Sequence, residues 1–167
     1  MKKASAQKSA RRRARELALQ GLYQWHLAKT PVPDIVRHLT DSENYARADT
    51  EYFQTLLEGV IEHAAALAER LQPHLDRRQE QLTPVERSVL LIGAYEMTHR
   101  PEIPPAVVIN EAVELAKTFG GTDGHRFVNG VLDKLAARLR AGGVAAVAAV
   151  VDGTTETGDA KGVRGAE

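Results

Sequence analysis

At 167 residues the chain is long enough for one domain, or for two small helical subdomains sharing a core. It has no cysteine, which excludes disulfides and thiolate metal sites and suits a reducing cytoplasm. No apolar run approaches the ~20 residues that cross a bilayer. Lys and Arg (22) balance Asp and Glu (22), which excludes a uniformly basic surface. The charge is nevertheless segregated: Lys2, Lys3, Lys8, Arg11, Arg12, Arg13 and Arg15 precede the first acid, Glu16. Such asymmetry points to a basic arm for polyanions on an acidic body free for another partner.

The first predicted helix runs from about Ser9 to Ala28. Ala14, Leu17, Ala18, Gly21, Leu22 and Trp25 recur at spacings of three and four and form one apolar stripe. Lys8, Arg11, Arg12 and Arg15 form a second stripe. Tyr23 follows Arg12 by about three turns and projects from nearly the same side. Thr30-Pro31-Val32-Pro33 breaks the helix. A short second helix is predicted from Asp34 to Leu39, then a polar connection over 40–48. Phe53, Leu56, Leu57, Val60, Ile61, Ala64, Leu67, Ala68 and Leu71 predict one long third helix that ends or kinks at Pro73.

Thr83-Pro84-Val85-Glu86 reads as a capping box with proline at the first helical position. It opens a fourth helix carrying Val89, Leu90, Ile92, Ala94, Tyr95 and Met97. After Pro101, Pro104 and Pro105, a fifth helix carries Val108, Ile109, Ala112, Val113, Ala116 and Phe119. Gly120-Gly121 is expected to stop it in a left-handed C-cap. Thr122 or Asp123 then caps a last helix with Phe127, Val128, Val131, Leu132, Leu135 and Leu139, which should end at Gly142-Gly143. Residues 143–167 lack periodicity and aromatic anchors and read as a disordered tail. No alternating strand pattern appears, so the fold class is all-α.

Catalytic and cofactor signatures are missing. The six histidines never pair at i+3 or i+4, so no helical metal site is indicated. The glycine-rich Gly120–Gly124 follows a helix rather than a strand, so it is not a dinucleotide cradle. No nucleophile elbow occurs. Glu111 and Glu114 lie one turn apart, but Glu114 also faces Lys117. That pair reads as a solvated, charge-paired helix face. The chain is expected to be no enzyme and to carry no cofactor.

The positive signal is the arm. Arginine donates two parallel hydrogen bonds to a phosphate and stacks on bases. Arg11, Arg12, Arg13 and Arg15 with Tyr23 therefore suit single-stranded nucleic acid better than a duplex groove. The turn from Thr122 to Gly124 offers free helix amides to a second phosphate, with Phe127 one turn on. An aromatic on that apolar stripe equally serves as core.

Several blocks carry a family resemblance. Ala10 to Glu16 with Gln20 to Trp25 resembles the N-terminal helix of the NusB family. Pro105 to Gly120 resembles its penultimate helix, His125 to Lys134 its last, and Leu91 to Met97 the helix before those. The likeness spans residues 8–140. It implies two small packed helical bundles, about 8–80 and 81–142, within one domain over 1–142. It implies a cytoplasmic transcription antitermination factor that binds single-stranded boxA RNA of ribosomal RNA leaders. It also implies a pairing with NusE, a small-ribosomal-subunit protein, in a complex with NusA, NusG and RNA polymerase. By the resemblance, Arg11, Arg12, Arg13, Arg15, Tyr23, Asp123 and Phe127 line the RNA surface, and Glu86 and Tyr95 belong to the NusE surface. A homodimer through that second patch is compatible with it. The tail after residue 140 departs from the family pattern, as does Leu91, where a charged residue is common.

Three rival readings remain at this level. An organellar transit peptide fits the arginine-rich start, although the helix continues into apolar positions. NusB-like domains also precede ribosomal RNA cytosine methyltransferases, which need a Rossmann-like domain that does not follow here. The third is a helical adaptor whose basic arm only solubilises.

Overall fold

The computed structural model describes residues 2–152. Eight α-helices occupy them, with two short 3₁₀ turns and no strand among the described residues. They are α1 (Lys2–Ala28), α2 (Val32–Thr40), α3 (Glu43–Arg47), α4 (Thr50–Glu62) and α5 (Ala64–Leu71). After the 3₁₀ turns Gln72–His74 and Gln79–Gln81 come α6 (Pro84–His99), α7 (Pro105–Phe119) and α8 (Gly124–Asp152). Met1–Ala136 is one compact unit and Ala137–Glu167 a second.

Within the first unit, α1 is the central element. It packs on α2, α3 and α4, and also on α6 and α7. It therefore touches elements on both sides of the boundary expected near residue 80, and both bundles close over one core. The predicted stripe does this work: Ala14, Leu17, Ala18 and Leu22 are wholly buried. The helices it packs on, α4 and α6, bury Phe53, Leu56 and Leu57 and Leu90 and Ile92 respectively. Each large side chain so buried contributes roughly 1.5–3 kcal/mol before ordering costs.

Four boundaries differ from the periodicity, each for a local reason. First, α1 starts seven positions earlier than expected, at Lys2; nothing in Lys2–Lys8 breaks a helix. Second, the polar connection contains α3, capped by the Ser42 hydroxyl accepting from the Tyr45 amide. Third, the long third helix is two helices, broken at His63 with φ −104° and ψ 13°. There the His63 ring stacks near Tyr95 and His99. Fourth, α8 continues through Gly142-Gly143 to Asp152. The glycines cost about 1 kcal/mol each relative to alanine, but the alanines that follow are the strongest helix formers. The expected disorder over 143–152 is therefore corrected to helix; the rest of that tail lies outside the described residues.

Glycine also acts differently from expectation at the end of α7. Gly120 is extended (φ −94°, ψ 177°), and its amide donates to the Ala116 carbonyl. A Cβ there would lie 2.6 Å from that carbonyl oxygen, so the position needs glycine for close approach and not for a left-handed cap. In this turn the left-handed residue is Asp123, at φ 67°. The capping box at α6 forms as predicted: the Glu86 amide donates to the Thr83 hydroxyl at 3.1 Å, and the Thr83 amide to Glu86 Oε2 at 3.4 Å.

Candidate nucleic-acid interface

The four arginines of the arm occupy four different environments. Helical spacing decides which. Arg15 lies three and seven positions before Ala18 and Leu22, on the apolar stripe itself, and it is 4% exposed. Its guanidinium donates to both oxygens of Glu96 on α6, at 3.1, 3.1 and 2.9 Å. The Tyr52 hydroxyl donates to the same carboxylate. Burial lowers the Arg15 pKa, but the charge and hydrogen bonds of Glu96 outweigh it, and the net direction is up. Burial and Glu96 both push the Tyr52 phenol up. Arg15 is thus withdrawn from the surface that the family resemblance implied. It is a charge-paired core residue.

Arg12 is at the rim, with its side chain 40% exposed. Its Nε and one terminal nitrogen each donate to a different Glu111 oxygen at 3.0 Å. This fork raises the Arg12 pKa, chiefly through the hydrogen bond. Glu111 itself is 3% exposed and lies 3.9 Å from Arg15. The solvated reading of Glu111 is therefore corrected: its helix face is turned to α1. Glu114 does pair with Lys117 at the surface, at 3.7 Å.

Arg11 spreads over the Tyr52 ring, 4.2 Å from its centroid, with Asp49 3.7 Å away. Arg13 donates to the Asn44 side-chain oxygen at 2.9 Å, and Asn44 in turn donates to Glu16 at 3.1 Å. Arg13 makes no ion pair with a carboxylate among the described residues. Arg11, Arg12 and Arg13 remain partly exposed on consecutive positions of α1. Tyr23 is 42% exposed further along it, with Leu27 one turn on and 61% exposed.

Asp123 and Phe127 form a second group at the start of α8. Phe127 is half-exposed, which resolves its core alternative only in part. The Arg77 guanidinium lies 4.3 Å above its ring and is held by Asp76 at 2.8 Å. Asp123 is exposed and 3.8 Å from Arg126. An aromatic face and two cations therefore meet at this helix start, though Arg77 and Arg126 gave no signal in the sequence.

On the implied protein-partner side, Glu86 is partly exposed and engaged in its capping box. Tyr95 is 8% exposed. Its ring stacks on His99 at 4.7 Å and fills the space beside Gly59, where a Cβ would lie 2.4 Å from it. Tyr95 is packing rather than surface. Leu91 is buried as well, at 3%.

These features define an all-helical protein organised on one long helix, whose first turns carry basic groups outward and whose middle is core. The NusB family pattern matches residues 12–137, and the chain belongs to that family. It is 59% identical over 134 residues to the transcription antitermination protein NusB of Nitrosomonas europaea, covering 80% of each chain. It is 56% identical over 139 residues to that of Cupriavidus pinatubonensis, covering 83% of each. Among solved structures, T. maritima NusB superposes with a TM-score of 0.67 at 27% identity, covering 75% of this chain and 89% of the other. A structure of antitermination factors NusB and NusE in complex with dsRNA gives a TM-score of 0.66 at 24% identity, over 76% and 96%, a likeness of fold. No helix among the described residues is long and apolar enough to cross a membrane.

Proposed function

We propose that this NusB-family chain acts in the cytoplasm as a non-catalytic antitermination factor. It binds single-stranded boxA RNA of ribosomal RNA leaders together with NusE, the small-ribosomal-subunit protein. With NusA and NusG it then lets RNA polymerase read past terminators. The observation that carries the reading is the partly exposed basic run Arg11-Arg12-Arg13 on α1, in a family whose solved members include NusB and NusE in complex with dsRNA.

On this reading Arg11, Arg12 and Arg13 meet phosphates, and Tyr23 and Phe127 offer stacking faces. Asp123 accepts from a base edge, and Glu86 lies toward NusE. Arg15 and Tyr95 support these groups from beneath. A single strand is favoured because the exposed aromatics can stack only on bases that are not already paired.

The test is fluorescence anisotropy of labelled boxA RNA against a scrambled strand and a boxA duplex, with and without NusE, at two salt concentrations. Selective binding to single-stranded boxA that tightens with NusE is the expected result. Equal binding to all three RNAs, indifferent to NusE, would leave only a basic arm on a helical scaffold and sink the proposal.

A further inference from the structure

A cleft of about 640 Å³ opens between the start of α1 and the first turns of α7. Gln7, Lys8 and Arg11 line it from one face of α1, and Ile103, Val107 and Asn110 from the α7 side. Of the seven residues of the RNA assignment only Arg11 and the buried Arg15 reach it. Ile103, Ala106 and Val107 give it an apolar wall, and Val107 is 43% exposed there. The carboxamides of Gln7 and Asn110 make no hydrogen bond among the described residues. Lys8 makes no ion pair among them either, and Arg11 Nε is buried without a hydrogen-bond partner, its Asp49 neighbour standing off at 3.7 Å. The one carboxylate in the wall, Glu111, is already held by Arg12 and lies 3.9 Å from Arg15, so it does not oppose an anion.

We infer that this cleft seats one unpaired base of the bound RNA strand. This rests on the RNA-binding reading and adds a specificity element to it. The base lies on Val107 and Ile103, its edge meets the Asn110 and Gln7 carboxamides, and Lys8 and Arg11 hold its flanking phosphates. The chemistry is complementary at each point. A base has apolar faces to cover, carboxamides match an edge with a donor beside an acceptor, and two cations suit the phosphates on either side. The helical repeat supplies the layout: Gln7, Lys8 and Arg11 recur at four and three positions, as do Ala106, Val107 and Asn110.

An abasic scan of labelled single-stranded boxA RNA against the full chain tests this. For the unaltered chain, removing one particular base should weaken binding roughly tenfold, as for one lost bidentate base contact. Asn110→Ala should weaken binding to intact RNA by a similar factor, and the same abasic change should then cost nothing more. Val107→Asp should do likewise, and Lys8→Gln should lower the salt slope by about 0.7. All three positions are exposed, and thermal melts verify that the variants fold. If the chain binds RNA but these variants bind as it does and keep its abasic profile, the cleft is not a base pocket. If they lose NusE instead, it is a protein contact, and the inference is overturned while RNA binding stands. Failure of the unaltered chain to bind any RNA defeats the underlying reading as well.

Discussion

Arg12 and Glu111 face each other across the α1–α7 contact as a two-point fork, 3.0 Å at each point. One partner is at the rim and the other is buried. Removing the exposed partner therefore leaves the buried carboxylate without its hydrogen bonds, with only Arg15 3.9 Å away. Arg12→Ala should cost about 1–3 kcal/mol of stability and weaken RNA binding. Arg12→Lys, which keeps the charge and loses the fork, should recover RNA binding better than stability. Urea melts and anisotropy on the same samples read out the two effects. Equal recovery of both would mean that the fork has no separate structural role.

Arg15 makes the opposite prediction. It is buried against Glu96 with Tyr52, so Arg15→Ala should destabilise by about 3–5 kcal/mol, the usual cost of leaving a buried charge unpaired. RNA affinity per folded molecule, measured well below the midpoint of melting, should change little. A full-strength fold with lost RNA binding would show that Arg15 reaches the RNA after all.

Phosphate and base contacts should separate by salt. Arg13 has no carboxylate partner among the described residues, so Arg13→Gln should lower the single-strand salt slope by about 0.7 at little cost in stability. Phe127→Ala should cost about 1–3 kcal/mol of binding with the slope unchanged. Parallel changes in slope from both variants would contradict the division.

Gly59 and Tyr95 offer a packing test. Gly59→Ala places a methyl about 2.4 Å from the Tyr95 ring, and overpacking of this kind costs about 1–3 kcal/mol. In a Tyr95→Val background the penalty should largely vanish, since the ring that clashes is gone. A penalty of the same size in both backgrounds would place the strain elsewhere.

His26 should make stability depend on pH. Burial first, and then the charges of Arg87 and Lys29, push its pKa down from 6.5 to about 4. The folded state thus resists protonation that the unfolded chain accepts. Its contribution is fully present above about pH 6.5 and is lost as pH falls toward 4. Partial solvation limits the loss to an order of 2 kcal/mol. In a His26→Gln variant the fall in melting temperature between pH 7 and 5 should shrink; an unchanged fall assigns it to other groups.

Helix existence was written in the spacing of apolar residues, and most of α1, α6, α7 and the start of α8 follow it. The capping box at Thr83 and Glu86 was equally plain, because its chemistry is local. What escaped was set by partners distant in sequence. Arg15 and Arg12 are one turn apart and chemically identical, yet Glu96 and Glu111, far along the chain, assign one to the core and the other to the rim. The position of Arg15 on the apolar stripe was the available signal. Glu111 looked solvated because Glu114 and Lys117 beside it are. His63 broke a helix that its own neighbours favour, in company with rings on α6. Tyr95 kept its spacing but gave no sign of the glycine it fills against.

The placement of α1 has a consequence for the whole unit. The helix that offers arginines outward also closes the core against α2, α3, α4, α6 and α7. The surface for a ligand therefore exists only while the interior is assembled, and the unfolded chain has no comparable site. Whatever binds there shifts the folding equilibrium by mass action, by about 2.7 kcal/mol at a hundred times its dissociation constant. Molecules without that ligand should therefore unfold at lower denaturant than occupied ones.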